Sequence, residues 1–151
     1  MIVKEGPASH SPFKLESLLI RLQSHDNNIA GLGARFIHLI DAENELSEDQ
    51  DQILCSILEY GPNWSFGAVE GFKIFSLPRF GTISPWSSKA TDIAKVCGLD
   101  SVKRIERGIA FTIQLKDHNL EPKKEAIDLL YDRMTELVIS ELHQASEIFV
   151  T

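Results

Sequence analysis

The sequence predicts an α+β protein in which two tandem strand-helix-strand-helix subdomains, a pseudo-dimer, form a sheet with helices packed on one face. Three observations carry this. Apolar spacing alternates along the chain between the strand period of two and the helical period of 3.6. Glycine- and proline-containing stretches fall between those segments. The run from Leu46 to Ile53 recurs from Leu120 to Ile127, an offset of 74 residues at both ends, which reads either as a weak internal duplication or as a chance alignment of two similar units.

In the first half, Ile2 to Lys4 is a short strand closed by Gly6-Pro7. Phe13, Leu15, Leu18, Leu19 and Leu22 form one helical stripe. Residues 25–28 and 31–33 read as loop, and Ala34 to Asp41 as a largely buried strand. Ser47 with Gln50 three residues later is a capping-box pattern. It opens a helix with Ile53, Leu54, Ile57 and Leu58 on its apolar face, stopped by Gly61-Pro62.

The second half repeats the order. Phe72 to Leu77 is a strand, Pro85 to Cys97 a helix ended by Gly98, and Arg104 to Leu115 a long strand. In that strand Ile105, Ile109, Phe111, Ile113 and Leu115 share one face, and Glu106, Gly108, Ala110, Thr112 and Gln114 the other. Pro122 opens a last helix, with Ala126, Ile127, Leu130, Met134, Leu137 and Val138 on its apolar side. The expected organisation is a first subdomain over residues 1–60, a connector over 61–71 and a second subdomain over 72–151, together one domain.

No apolar run approaches the ~20 residues of a membrane span. The only cysteines, Cys55 and Cys97, sit in helical contexts away from metal-ligand spacing, which argues against a disulfide framework or a zinc site and fits a reducing, cytoplasmic location. The net charge of −7 argues against general nucleic-acid binding. Charge is unevenly placed: residues 1–71 carry 4 basic and 11 acidic side chains, residues 72–151 carry 11 of each. From Lys73 to Arg107, 7 basic groups face 3 acidic ones. That local basic segment is either a solvated face or a binding surface.

The stretch from Pro78 to Ala94 is the most informative. It joins a strand to a helix; Gly81 permits a tight turn, Ser84 is a cap and Pro85 suits the first helical position. Thr82, Ser84, Ser87 and Ser88 gather hydroxyls where free backbone N–H groups and the helix dipole attract an anion, with Arg79 and Lys89 close in sequence. A phosphate or carboxylate site is one reading; a capped helix with Trp86 plugging the core is the other. The spacing of a Walker A loop is absent.

The run Gly81-Thr82-Ile83-Ser84-Pro85-Trp86-Ser87-Ser88-Lys89-Ala90-Thr91-Asp92-Ile93-Ala94 resembles the signature loop and helix of the N-terminal domain of large, single-chain phosphoribosylformylglycinamidine synthases. Cys97-Gly98-Leu99, Val102 to Gly108, Tyr60-Gly61-Pro62 and Leu130-Tyr131-Asp132-Arg133-Met134 leading to Glu136 resemble the same domain. The resemblance implies a part of the ligase that converts formylglycinamide ribonucleotide to the amidine with ATP, magnesium and ammonia from glutamine. It also implies a fused dimer of the small subunit of split enzymes, docked on the synthetase domain and shaping the ammonia path and the active-site cleft. Its partners would be the remaining synthetase and glutaminase domains, with no nucleic acid and no membrane.

Catalytic residues and metal ligands are expected to lie outside this chain, as are ATP and magnesium. Cys55 and Cys97 lack a nucleophile turn, and the cluster Asp41, Glu43, Glu45, Glu48, Asp49 and Asp51 does not match a calcium loop. His10, His25, His38, His118 and His143 are scattered and read as structural or exposed. The expected binding or docking residues are Arg79, Thr82, Ser84, Trp86, Ser87, Ser88, Lys89, Asp92, Arg104 and Arg107. Arg104 and Arg107, three apart on a strand, point to opposite faces. Arg104, on the polar face, is expected to share a pocket with Lys89; Arg107, on the apolar side, to pair with a buried carboxylate or a partner domain. The competing functional reading is a stand-alone phosphate- or nucleotide-binding or interaction module.

Overall fold

The computed structural model describes residues 1–81 and 83–149. The elements run β1 (Ile2–Ala8), α1 (Pro12–His25), β2 (Ile29–Ala42), α2 (Glu48–Ile57), β3 (Phe72–Pro78), α3 (Pro85–Val96), β4 (Val102–Leu115), α4 (Lys124–Ile127), β5 (Glu136–Ile139) and a 3-10 helix, Leu142–Phe149. The five strands form one antiparallel sheet in the order β1-β2-β4-β3-β5. The α+β class is as expected.

β2 and β4 form the central ladder, with Phe36 opposite Ile109, 73 positions later. β1 flanks β2 and β3 flanks β4, so the first four strands have the order that two βαβα units produce when joined edge to edge. Both long helices start alike: Ser11-Pro12 and Ser84-Pro85, again 73 apart, place a serine cap before a first-position proline.

Strand alternation divides the core. On the helix-bearing face, Leu15 and Leu22 of α1 pack with Leu32, Ala34, Ile74, Phe111 and Ile113. Ala90 and Ala94 of α3 and Leu54 of α2 pack with Ile40, Val102 and Ile105. The capping box at Ser47 and Gln50 forms as expected. On the opposite face, Leu39 and Leu77 meet Ala145 and Ile148 of the 3-10 helix.

Three expectations are corrected. β2 begins at Ile29, so Gly31 and Gly33 lie within a strand. Their role is close approach: a Cβ on Gly33 would lie 1.8 Å from the Ala68 carbonyl oxygen. There the segment between the halves closes on the edge of β2, with Ala34 N donating to Phe66 O at 2.8 Å and Gly33 bridging to Gly67.

The long last helix is the second correction. α4 stops at Ile127, and the chain re-enters the sheet as β5 before the 3-10 helix. Asp132 accepts the N–H groups of Thr135 and Glu136 on its carbonyl and that of Met134 on its side chain, turning the chain into β5. Leu137 and Val138, expected on one helical face, belong to opposite faces of the sheet, and Met134 is 85% exposed.

Thirdly, β1 extends to Ala8, with a register shift between Glu5 and Ala8 that absorbs Gly6-Pro7. A proline and an irregularity on an edge strand hinder pairing with foreign strands. Among the described residues no helix is long and apolar enough to cross a membrane.

Replacing Gly33 with Ala should destabilise the fold by about 1–3 kcal/mol, because the new methyl meets backbone. A lowered urea-unfolding midpoint with an unchanged m-value is the expected result.

Candidate functional site

The start of α3 is built from its own hydroxyls. Gly81 takes φ +89°, a conformation that favours glycine. Ser84 accepts the Ser87 N–H at 3.1 Å and donates its own hydroxyl to Glu106 Oε1 at 3.2 Å. The buried Ser87 hydroxyl donates to the Ile105 carbonyl at 2.5 Å. Thr91 donates to Ser87 O and accepts from Ile105 N, lacing α3 to β4. Ser84 and Ser87 therefore act in capping and attachment. Thr82 lies outside the described residues.

The remaining expected residues separate onto different surfaces. Ser88, Lys89 and Asp92 are exposed on the outer side of α3 and line a shallow apolar groove with Ile93 and Val96. Arg79 donates through Nε and Nη2 to the Arg133 carbonyl, holding the end of β3 against the turn before β5. Arg104 pairs with Glu106, which is 0% exposed, and donates to the Ile148 carbonyl at 2.9 Å. It is thus clamped against the 3-10 helix, on the sheet face opposite α3. Lys89 and Arg104 share no pocket, because the sheet lies between them.

Arg107 takes the helix-bearing face, as its position in the alternation requires. In place of the expected buried carboxylate it meets aromatic rings, and it has no ion pair among the described residues. Its guanidinium carbon is 4.2 Å from the Phe36 ring centroid, 4.5 Å from Trp86 and 5.7 Å from Tyr60. Such ring faces attract a cation through their quadrupoles. Trp86 in turn stacks on His38 at 5.6 Å, with 26° between the planes.

A directed hydrogen-bond chain supports this cluster. His38 Nδ1 lies 3.2 Å from the Lys4 carbonyl, which can only accept, so Nδ1 carries the proton and Nε2 is the acceptor. Tyr60 Oη, 2.7 Å from Nε2, therefore donates to His38, and it accepts from Arg107 Nη1 at 3.3 Å. Burial is the main cause of the fall in the His38 pKa to about 4; the Arg107 charge adds to it, and the Lys4 contact partly opposes it. Burial also raises the Tyr60 pKa, and Arg107 offsets part of that rise.

Phe36, Pro78, Ser84, Trp86, Arg107 and Glu136, with Gly108 and Ile109, line a cavity of about 210 Å³. Glu136 is held there by Ser76 Oγ and Asp132 N. The sequence reading missed Phe36 and His38 as parts of the site. Their only signal is the i, i+2 spacing that puts both on one side of β2. Tyr60 carried a signal only within the family-like Tyr60-Gly61-Pro62. Among the described residues no group of three His, Cys, Asp or Glu side chains is placed to hold a metal ion.

A family model described as formylglycinamide ribonucleotide amidotransferase N-terminal matches residues 35–149, from within β2 to the 3-10 helix, and takes in Phe36, His38, Tyr60, Trp86 and Arg107. The chain belongs to this family. The match covers every segment that lines the cavity of this amidotransferase N-terminal domain: β2 at Phe36, the end of β3, the start of α3, β4 and β5 at Glu136.

Two measurements test this local account. Ser84→Ala should lower stability by about 1–2 kcal/mol through loss of the cap and the Glu106 contact, whereas Ser88→Ala should change it by less than about 0.5 kcal/mol; chemical denaturation compares them. His38 is neutral when folded and regains its ordinary pKa of 6.5 when unfolded, so the unfolded chain binds the proton first as pH falls. Its contribution is complete above about pH 6.5 and is lost progressively towards pH 4, on the order of 3 kcal/mol in total. His38→Asn should flatten the dependence of unfolding free energy on pH within that window.

Proposed function

We propose that this chain is a non-catalytic docking domain of a carbon–nitrogen ligase that uses ATP and glutamine to convert formylglycinamide ribonucleotide to formylglycinamidine ribonucleotide in de novo purine biosynthesis. The observation that carries this is the family match over residues 35–149. In this reading the synthetase domain binds ATP and magnesium, the glutaminase domain releases ammonia, and this domain helps shape the ammonia path and the active-site cleft. Residues 1–60 and 72–151 act as two fused units joined by 61–71. The shared Ser-Pro helix starts and the sheet order support that organisation.

The chemistry of the side chains fits a role without catalysis. Cys55 lies within α2 and Cys97 caps the end of α3, and neither has a hydrogen bond to histidine among the described residues. A thiol nucleophile needs such a base or a comparable activating group. The outer side of α3 suits docking: Val96 is 88% exposed and Ile93 42%, beside Lys89 and Asp92. Exposed apolar side chains rimmed by charges favour a protein partner. The two free cysteines fit a reducing cytoplasm.

Reconstitution tests the reading. The isolated chain should hydrolyse no glutamine and amidate no substrate. Added to a formylglycinamide ribonucleotide amidotransferase stripped of its N-terminal domain, it should restore glutamine-dependent amidation. Val96→Asp, a fully surface change, should weaken that restoration by about tenfold while leaving the fold intact, as expected for a charge placed in an apolar interface. Amidotransferase activity in the chain alone, or no effect on the truncated enzyme, overturns the proposal.

A further inference from the structure

We propose that Arg107 and Trp86 form a binding site for a carboxylate, reached through the cavity beside α3. The inference rests on the cavity itself and stands independently of the docking role.

The first support is an unused binding edge. A guanidinium offers two-donor edges that match a carboxylate's two oxygens in one plane. In Arg107, Nη1 is taken by Tyr60, which is oriented by donating to His38. Nε and Nη2 have no acceptor among the described residues, and together they make one such edge. The rings of Phe36 and Trp86, at 4.2 and 4.5 Å, restrict the guanidinium. The edge is therefore held in place before a ligand arrives, which lowers the ordering cost of binding.

The second support is charge. Arg107 is half-buried, and no carboxylate lies within ion-pair distance of it among the described residues. Ring faces compensate a partly desolvated cation only in part. An incoming anion would supply the rest. Glu136 lines the same cavity of about 210 Å³, and its oxygens already accept from Ser76 and Asp132. Its negative charge disfavours a phosphate dianion more than a carboxylate monoanion. The carboxylate belongs either to a small organic acid or to an acidic side chain of a polypeptide.

The test uses the 151-residue chain itself, labelled with ¹⁵N. Sodium acetate is titrated against sodium chloride at matched ionic strength, following the Arg107 Nε–H and Trp86 indole signals. Acetate should shift both saturably, and Arg107→Gln should weaken binding by about tenfold or more. Should Arg107→Gln fail to fold by circular dichroism, Arg107→Lys keeps the charge without the fork and should also weaken binding several-fold. N-acetylglutamate N-methylamide binding more tightly than acetate identifies a polypeptide source, and equal or weaker binding a small acid. The proposal is overturned by non-saturable shifts, by equal shifts in chloride, by unchanged affinity in a folded Arg107 variant, or by inorganic phosphate binding more tightly than acetate.

Discussion

The pairing of β2 with β4 is the constraint on which the other elements depend. Two 14-residue strands run antiparallel along nearly their whole length, centred where Phe36 faces Ile109. The register assigns each side chain on either strand to one of the two faces. A slip of β4 by one residue would send Ile105, Phe111 and Ile113 out of the helix-packed core and bring Glu106 into it. Tight approach to neighbouring backbone holds that register. Gly33 admits the Phe66–Ala68 segment, and at Gly108 a Cβ would lie 2.6 Å from the Ser76 carbonyl oxygen and 2.4 Å from Leu77.

The same alternation distributes charge. Arg104 and Glu106 share the face covered by the 3-10 helix, where ion pairing and the Ser84 hydroxyl hold a fully buried carboxylate. Arg107, one residue further, has ring faces instead of a counter-ion. Its position depends on Tyr60 and His38, and the arrangement requires His38 to stay neutral, since a proton on Nε2 would remove the acceptor for Tyr60. A doubly protonated imidazole would also face the Arg107 charge, and both effects agree with the depressed pKa.

The start of α3 shows why a run of hydroxyls is weak information about ligands. Two of the serines that the sequence offers to an anion have competing partners nearby in the fold, and Ser88 lies exposed on the outer side of α3. Ser87 reaches a β4 carbonyl and Ser84 reaches Glu106. A hydroxyl with a local acceptor at hydrogen-bond distance contributes to attachment of the helix, and the charge available to a ligand lies instead at Arg107.

Local rules already carried much of this in the sequence: the alternation of β4, the Ser47 capping box, the Ser84-Pro85 helix start and the family-like run from Gly81 to Ala94. Each depends on residues within a few positions of one another, whose propensities act whatever the rest of the chain does. Tertiary structure decided what depends on distant segments. Gly31 and Gly33 resemble loop residues until Ala68 and Gln114 press against them. Leu137 and Val138 fit a helical stripe until β3 offers a free edge that draws them into β5. Arg107 has no partner in its own strand. Phe36, Tyr60 and Trp86 lie 71, 47 and 21 positions before it in the sequence, and only the folded sheet brings these rings around one cation.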